Sequence, residues 1–399
     1  MRTIQLSTAV VALVCYQAVS SSVVPPPTGP YHVGFQKHVV PVLNEADPFW
    51  LNNISTSFLV TVYYPTNQEP EPHDWTRPYL DPATAALYEV RYNLSAGSLS
   101  ALPSPGLVPE AKPLGRHHHS TLFFSPGGGG PPTEVYTLLL SDLASHGYAV
   151  LALDHAHEQP FVRYPNGTGI YGLPILYGFD EPTVLAIQST RVNDSLALLD
   201  YLPALEAKTG LGLSQTHIGI FGHSLGGSSA AATLLAEQQR RRSDESKRTV
   251  PSSFRAGMNI DGTFFGPLAD VRQPFLMLGA EAHGTSPDPA DSDATWPAFA
   301  SLQKTAPYWR WINIRGALHH DFSDIGYWKQ VVPAIRDGDS QLGSIGGDRL
   351  VEVWRAYVRS WFDVALLGRG TDEERALFEE GVDAEWPEKI WVGGKEPYR

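Results

Sequence analysis

The chain has 399 residues, 42% hydrophobic and 18% charged, with a formal net charge of −13. That composition is globular and long enough for a large core, and its acidic balance argues against nucleic acid or electrostatic docking to an anionic membrane. The single cysteine, Cys15, falls in an N-terminal apolar run, so the rest of the chain has neither a disulfide framework nor a thiol nucleophile.

Residues 1–20 read as a secretory signal, with Arg2 near the start, apolar residues from Ala9 to Cys15, and the small ending Ala18-Val19-Ser20. The apolar core is too short to stay in a bilayer. Residues 21–399 are therefore expected to be secreted, extracellular and a single catalytic domain. Four sequons, at Asn53, Asn93, Asn166 and Asn193, are then glycosylation candidates.

Residues 21–30 read as an extended arm. His38–Leu43 and Phe58–Tyr64 read as an antiparallel pair of strands, the second ending where Pro65 stops a ladder. Residues 66–116 are Pro-rich, with a helix expected over Pro82–Tyr92, and read as an excursion over the sheet, a lid or pocket wall. His117-His118-His119 leads into a buried strand at Thr121–Phe124; adjacent strand residues alternate faces, so the three rings do not converge on a metal ion. Ser125-Pro126-Gly127-Gly128-Gly129-Gly130 follows at once. Bare glycine amides can approach a developing oxyanion, and Pro126 has no N–H to offer. Gly128 is the preferred donor and Gly127 the next. A flexible turn is the plain alternative, while a phosphate loop lacks its lysine.

Thr133–Ser145 has helical spacing and closes at His146-Gly147, and Tyr148–Leu153 reads as a buried parallel strand. Asp154-His155-Ala156-His157-Glu158 has a metallohydrolase-like His-x-His without the downstream Asp-His. It is read as a hydrogen-bonded strand end lining a cleft. Residues 163–182 form a second candidate pocket wall. Thr183–Leu202 reads as an amphipathic helix with Val184, Ile187, Leu196 and Leu199 inward, and with Arg191 and Asp194 spaced to pair.

The central stretch is Gly222-His223-Ser224-Leu225-Gly226-Gly227, between the apolar run His217–Phe221 and the small-residue run Ser228–Leu235. A strand, a sharp turn and a helix carrying G-x-S-x-G is the nucleophile elbow of an α/β-hydrolase. Gly222 and Gly226 keep Cβ atoms out of the tight crossing, and the Leu225 amide points from a helix N-terminus at the same spot. Arg240–Arg248 is a charge run read as a solvated loop. Strands six to eight follow at Ala256–Ile260, Pro274–Gly279 and Trp309–Ile314, and a closing helix is expected over Arg349–Leu367.

An elbow serine needs a base oriented by an acid. His319, after the last strand, is the preferred base, with His320 beside it. The acid is Asp261, after the sixth strand, or one of Glu281, Asp288, Asp291 and Asp293, after the seventh; the residues alone do not separate these.

From the glycine turn to the His319 loop, about residues 120–330, the chain resembles the plasma-type platelet-activating factor acetylhydrolase family. The features that carry the resemblance are Phe124-Ser125-Pro126-Gly127-Gly128-Gly129, the elbow, Asp261 with the aromatic and apolar residues after it, and His319-His320-Asp321-Phe322-Ser323-Asp324. Pro126 stands where that family usually has His. The resemblance implies Ser224, Asp261 and His319 as a triad, the Gly128 and Leu225 amides as oxyanion donors, and short or oxidised sn-2 acyl phospholipids as substrates. The segment Asp261–Gly266 also resembles esterases and polyester hydrolases.

The expected molecule is an α/β-hydrolase: a mostly parallel eight-stranded sheet with helices on both faces, acting as a serine esterase through an acyl-enzyme, with no metal or organic cofactor. Its partner would be an ester or phospholipid. Phe264, Phe265 and Phe322 would suit transient contact with a lipid interface, though core packing explains them equally. A general carboxylesterase, lipase or cutinase-like polyester hydrolase is the alternative, and a binding protein on the same scaffold a second.

Overall fold

The computed structural model describes residues 24–42, 44, 47, 57–115, 119–172, 180–244, 252–288 and 292–395. The signal segment, Asn53, His117, His118 and Asp291 lie outside the described residues. In chain order the elements are β1 (His32–Val39), β2 (Leu59–Thr66), α1 (Pro72–Thr76), α2 (Pro82–Arg91), β3 (Val108–Pro109), β4 (His119–Ser125), α3 (Thr137–Ser145), β5 (Ala149–Asp154), β6 (Phe161–Arg163) and β7 (Gly169–Tyr171). There follow α4 (Glu181–Thr209), β8 (Leu213–His223), α5 (Leu225–Ser243), β9 (Phe254–Ile260), β10 (Phe275–Ala280), α6 (Thr295–Leu302), β11 (Trp309–Ile314), α7 (Ile325–Val331), α8 (Ala334–Gly338), α9 (Gly347–Ala365), α10 (Asp372–Ala376) and β12 (Lys389–Lys395).

The sheet runs β12-β11-β10-β9-β8-β4-β5-β2-β1-β3, and β6 and β7 form a separate hairpin. The six strands from β11 to β5 are mutually parallel. The sheet thus has ten strands rather than eight. The extra β3 is two residues on the outer edge of β1, ending in Pro109, which an edge tolerates. The extra β12 pairs antiparallel with β11 and carries two glycines, so it reads as tail. The first strand also lies earlier than expected, because Pro41 cannot donate to the ladder; pairing stops after the Val40 amide reaches Phe58 O at 3.1 Å.

Each parallel strand is apolar on both sides because helices cover both. Leu122 and Phe124 of β4 face a core shared with α3, α7 and α9, whereas Phe123 faces the core shared with α4, α5 and α6. The expected helices over 82–92, 133–145 and 349–367 are present, the second opening with a 3₁₀ turn at Thr133–Tyr136.

Helix α4 differs from expectation in length and facing. It runs from the cap Asp180, which accepts from the Thr183 amide at 3.0 Å, to the left-handed Gly210. Its buried stripe is Val184, Ile187, Arg191, Asp194, Leu198, Leu202 and Leu205, with Leu196 and Leu199 only half-buried. The polar Arg191 and Asp194 continue the inward stripe, which turns Leu196 and Leu199 to its flanks. Arg240–Arg242 are not loop either: they form the last turn of α5, where cations favour the helix end, and Arg240 grips Asp200 at 2.7 and 3.0 Å.

The arm is docked, with Val24 buried and the Thr28 and Gly29 amides on Asp142 and Ser145. The 66–116 excursion buries Tyr79, Tyr88, Tyr92 and Leu102 in the same core as α7 and α9, with Tyr79 and Tyr88 edge-on to Trp328 of α7. Together with β1, β2 and Arg163 it walls a cavity of about 280 Å³, and Ser224 is not part of that lining. Among the described residues no helix is long and apolar enough to cross a membrane.

Candidate active site

Strand β8 ends at His223, and Ser224 follows with φ 56° and ψ −128°, a conformation L-residues rarely adopt. The crossing is too tight for side chains: a Cβ on Gly222 would lie 2.4 Å from the Gly226 backbone, and one on Gly226 would lie 2.0 Å from Ser125 O. The Ser224 amide donates to Ile260 O at 2.8 Å, pinning the elbow to the end of β9.

That end of β9 carries Asp261, itself at φ 52°. Its Oδ2 lies 2.6 Å from His319 Nδ1, and His319 Nε2 lies 3.0 Å from Ser224 Oγ. Ser224, His319 and Asp261, the three residues the resemblance implies, therefore form one unbroken hydrogen-bonded line. The competing candidates are employed elsewhere. Glu281 accepts from the Gly316 amide, exposed Asp288 is not on His319, and His320 pairs with Asp339 at 2.7 Å. Asp293 reaches the site indirectly, through His283.

Of the glycine-turn amides, Gly127 donates to Tyr136 Oη at 3.1 Å and Gly129 to Glu158 Oε1 at 3.3 Å. Gly128 lies between them, and a Cβ there would meet Leu225 Cδ2 at 2.7 Å, so the turn sits directly over the first residue of α5. The Gly127 amide, the second choice from sequence, is thus committed to Tyr136, while Gly128 stands against Leu225, whose amide opens α5.

Arg191 does not pair with Asp194. Fully buried, it is gripped by Glu158 through Nε at 3.0 Å and a second contact, and donates to Ser125 Oγ at 3.1 Å, Pro126 O and Gly127 O at 3.0 Å. The guanidinium fork thereby holds the turn by its carbonyls, which turns the strand-end cluster into part of the site's support. Asp194 instead bonds His155 Nδ1 at 2.7 Å; burial pushes that carboxyl up and the imidazole down. Asp154 takes the Thr133 amide and hydroxyl at 2.8 and 2.6 Å, as expected of a bonded strand end. His119 opens β4 and bonds Gly147 O. Among the described residues no three His, Cys, Asp or Glu side chains are grouped to hold a metal ion.

Two histidines escaped the sequence reading. His223 Nε2 lies 3.0 Å from His319 O and its Nδ1 2.9 Å from Tyr136 Oη; burial, then the neighbouring His319, keeps this ring neutral. His283 lies 2.7 Å from Asp261 Oδ1 through Nδ1 and 2.9 Å from Asp293 Oδ2 through Nε2. Burial would lower the His283 ring, but its bonds to the two carboxylates push it up to about 9. Burial would likewise raise Asp261, but the bonds from His283 and His319 hold it well below the usual carboxylate range. Both histidines read locally as ordinary loop or strand-end residues, and only loops brought together from distant strands give them roles.

Of the aromatics, Phe264 stacks on Phe299 at 4.2 Å and Phe322 is buried near His223, so core packing accounts for both. Phe265 joins Val184, Ile187 and Leu225 in a small separate apolar cluster beside the serine.

No family model matches the chain. A curated relative, a probable 1-alkyl-2-acetylglycerophosphocholine esterase of Arthroderma benhamiae, is 27% identical over 278 residues. That match covers 65% of this chain and spans 62% of the relative's length. Among solved structures, a ferulic acid esterase from Streptomyces cinnamoneus superposes with a TM-score of 0.70 at 25% identity, covering 93% of this chain and 98% of the other. The fold is that of an α/β-hydrolase. With that fold, the elbow sits at the C-terminal end of a central parallel strand, where ligands of open α/β sheets bind.

Proposed function

We propose that the protein is a secreted serine esterase, and that its substrates are carboxylic esters, foremost phospholipids with a short or oxidised sn-2 acyl chain. The observation that carries the reading is the line from Ser224 Oγ through His319 to Asp261, at 3.0 and 2.6 Å, beneath a glycine turn. His319 takes the Ser224 proton as Oγ attacks the ester carbonyl, and Asp261 stabilises the imidazolium so formed. The amides of Gly128 and Leu225 hold the oxyanion, at about 3 kcal/mol per donor. The alcohol leaves with the proton from His319, and a water activated by the same ring releases the acid from Ser224. Phe265, Val184 and Leu225 offer the acyl substituent an apolar wall.

The Arthroderma relative supports the phospholipid ester, and the Streptomyces neighbour supports a second reading, an esterase for other carboxylic esters such as ferulates. Secretion rests on residues 1–20; the exposed Asn93, Asn166 and Asn193 are the described positions we assign to glycans. The test is labelling by a fluorophosphonate probe, with Ser224→Ala as control, beside turnover of short and long sn-2 phospholipids and methyl ferulate. Serine-dependent labelling with short-chain phospholipid turnover is expected. Ferulate turnover alone selects the second reading, and neither labelling nor turnover by folded protein rejects both.

A further inference from the structure

The chemistry above uses only one oxygen of Asp261. Its other oxygen, Oδ1, accepts from the Ala280 amide at 2.6 Å and faces His283 Nδ1 at 2.7 Å. The opposite edge of the His283 ring faces Asp293 Oδ2 at 2.9 Å, and Asp293 Oδ1 is fixed by the Thr295 amide and hydroxyl at 2.8 and 2.6 Å. A carboxylate oxygen only accepts, so both ring nitrogens of His283 must donate, and an imidazole with two N–H groups is a cation. The ring also lies against Trp296, centroids 4.1 Å apart, and an indole face favours a cation. The His283 carbonyl takes Asn313 Nδ2 at 3.0 Å. The residue is thus held from the ends of β9 and β10, from α6 and from β11.

We propose that His283 is a positioning residue for ester hydrolysis: a fixed cation, anchored by Asp293, that orients Asp261 toward His319 and moderates the negative field on the base. This rests on the esterase reading of Ser224. The charged and titratable groups facing His283 are Asp261 and Asp293. Those around His319 are Asp261, His223 and His320, whose own partner is Asp339. Glu281 is turned to the Gly316 amide.

Replacing His283 by Gln keeps a donor for Asp261 and deletes the charge. The unopposed carboxylates then stabilise the His319 imidazolium, so more alkaline solution is needed to free the base. In His283→Gln the acid limb of kcat/KM should move up by about one pH unit with KM unchanged. A residue that only packs would leave the limb in place, and an unmoved limb in a folded variant that still turns over ester overturns the inference while sparing the esterase reading. Absence of turnover in the wild-type protein overturns the esterase reading instead. Should His283→Gln not fold, ¹⁵N imidazole NMR of intact Ser224→Ala protein at pH 7.5 decides. Two protonated nitrogens on His283 are expected, and a neutral ring overturns the proposal.

Discussion

The side chain of His223 donates to the backbone carbonyl of His319 at 3.0 Å, so the residue preceding Ser224 holds the loop that carries His319. A carbonyl can only accept, which puts the proton on Nε2 and leaves Nδ1 to accept from Tyr136 Oη at 2.9 Å. Tyr136 Oη in turn accepts from the Gly127 amide at 3.1 Å. One directional chain therefore ties the glycine turn to the His319 loop.

Tyr136→Phe breaks that chain at its middle, where the phenol is fully buried. It should lower kcat by about fivefold to tenfold, the worth of one hydrogen bond of about 1 kcal/mol, with KM changed much less. Steady-state kinetics on one substrate suffices, and an unchanged kcat argues that the chain does not hold the site.

Asp261 and Asp293 both survive the sequence reading as candidate acids, yet only Asp261 touches His319. Asp261→Asn should cost about 10³–10⁴ in kcat because the base loses its tautomer and orientation. Asp293→Asn should cost far less, since it acts only through His283. Comparable losses in the two variants would contradict the assignment of the acid.

Arg191 and Glu158 are a buried pair whose removal should separate stability from catalysis. Arg191→Met strands the Glu158 carboxylate and should destabilise by about 3–5 kcal/mol in urea melts. Adding Glu158→Leu removes the stranded charge and should recover much of that loss. The double variant still lacks the donors to Ser125, Pro126 and Gly127, so its kcat should stay low. A double variant with wild-type kcat would show that the turn holds itself.

The carboxylate–imidazole cluster also sets a pH window for stability. His283 rises from 6.5 to about 9 on folding, so its contribution is complete below pH 6.5 and is lost as pH climbs through 9. That contribution is on the order of 3 kcal/mol. Despite their burial, Asp261 and Asp293 are held low by their bonded partners, so their contributions are present above pH 3.8 and lost on acidification below it. Burial raises Asp154 to about 6 and Asp324 to about 7, and both titrate in wild type and variant alike. Urea melts from pH 6 to 10 should therefore give a wild-type advantage over His283→Gln that shrinks toward pH 10. A constant difference would mean that the ring is neutral in the fold.

Much of this molecule is local, and the local part was legible. The runs that became β4, β5, β8, β9, β10 and β11 are apolar because both their faces are covered, and any strand so placed must be spelled that way. Gly222 and Gly226 flank Ser224 within five residues because a Cβ at either glycine would come within 2.4 or 2.0 Å of backbone atoms across the crossing. The place just after the last apolar strand, with Gly316-Ala317 to present it, points to His319, and the structure brings that ring to Ser224.

Sheet order was decided only by the tertiary structure. It places β9 beside β8, so the loop after β9 reaches the elbow and Asp261 becomes the partner of His319. The same order sets β10 next to β9, which brings His283 onto the other oxygen of Asp261 and relegates Asp293 to second place. Arg191 shows the same division. Its three-residue spacing from Asp194 suggested a pair, but the helix face turned it toward Glu158 and the glycine turn. Periodicity records which way a residue faces, whereas its partner depends on which strands lie side by side, and that is set by packing between segments far apart in the chain.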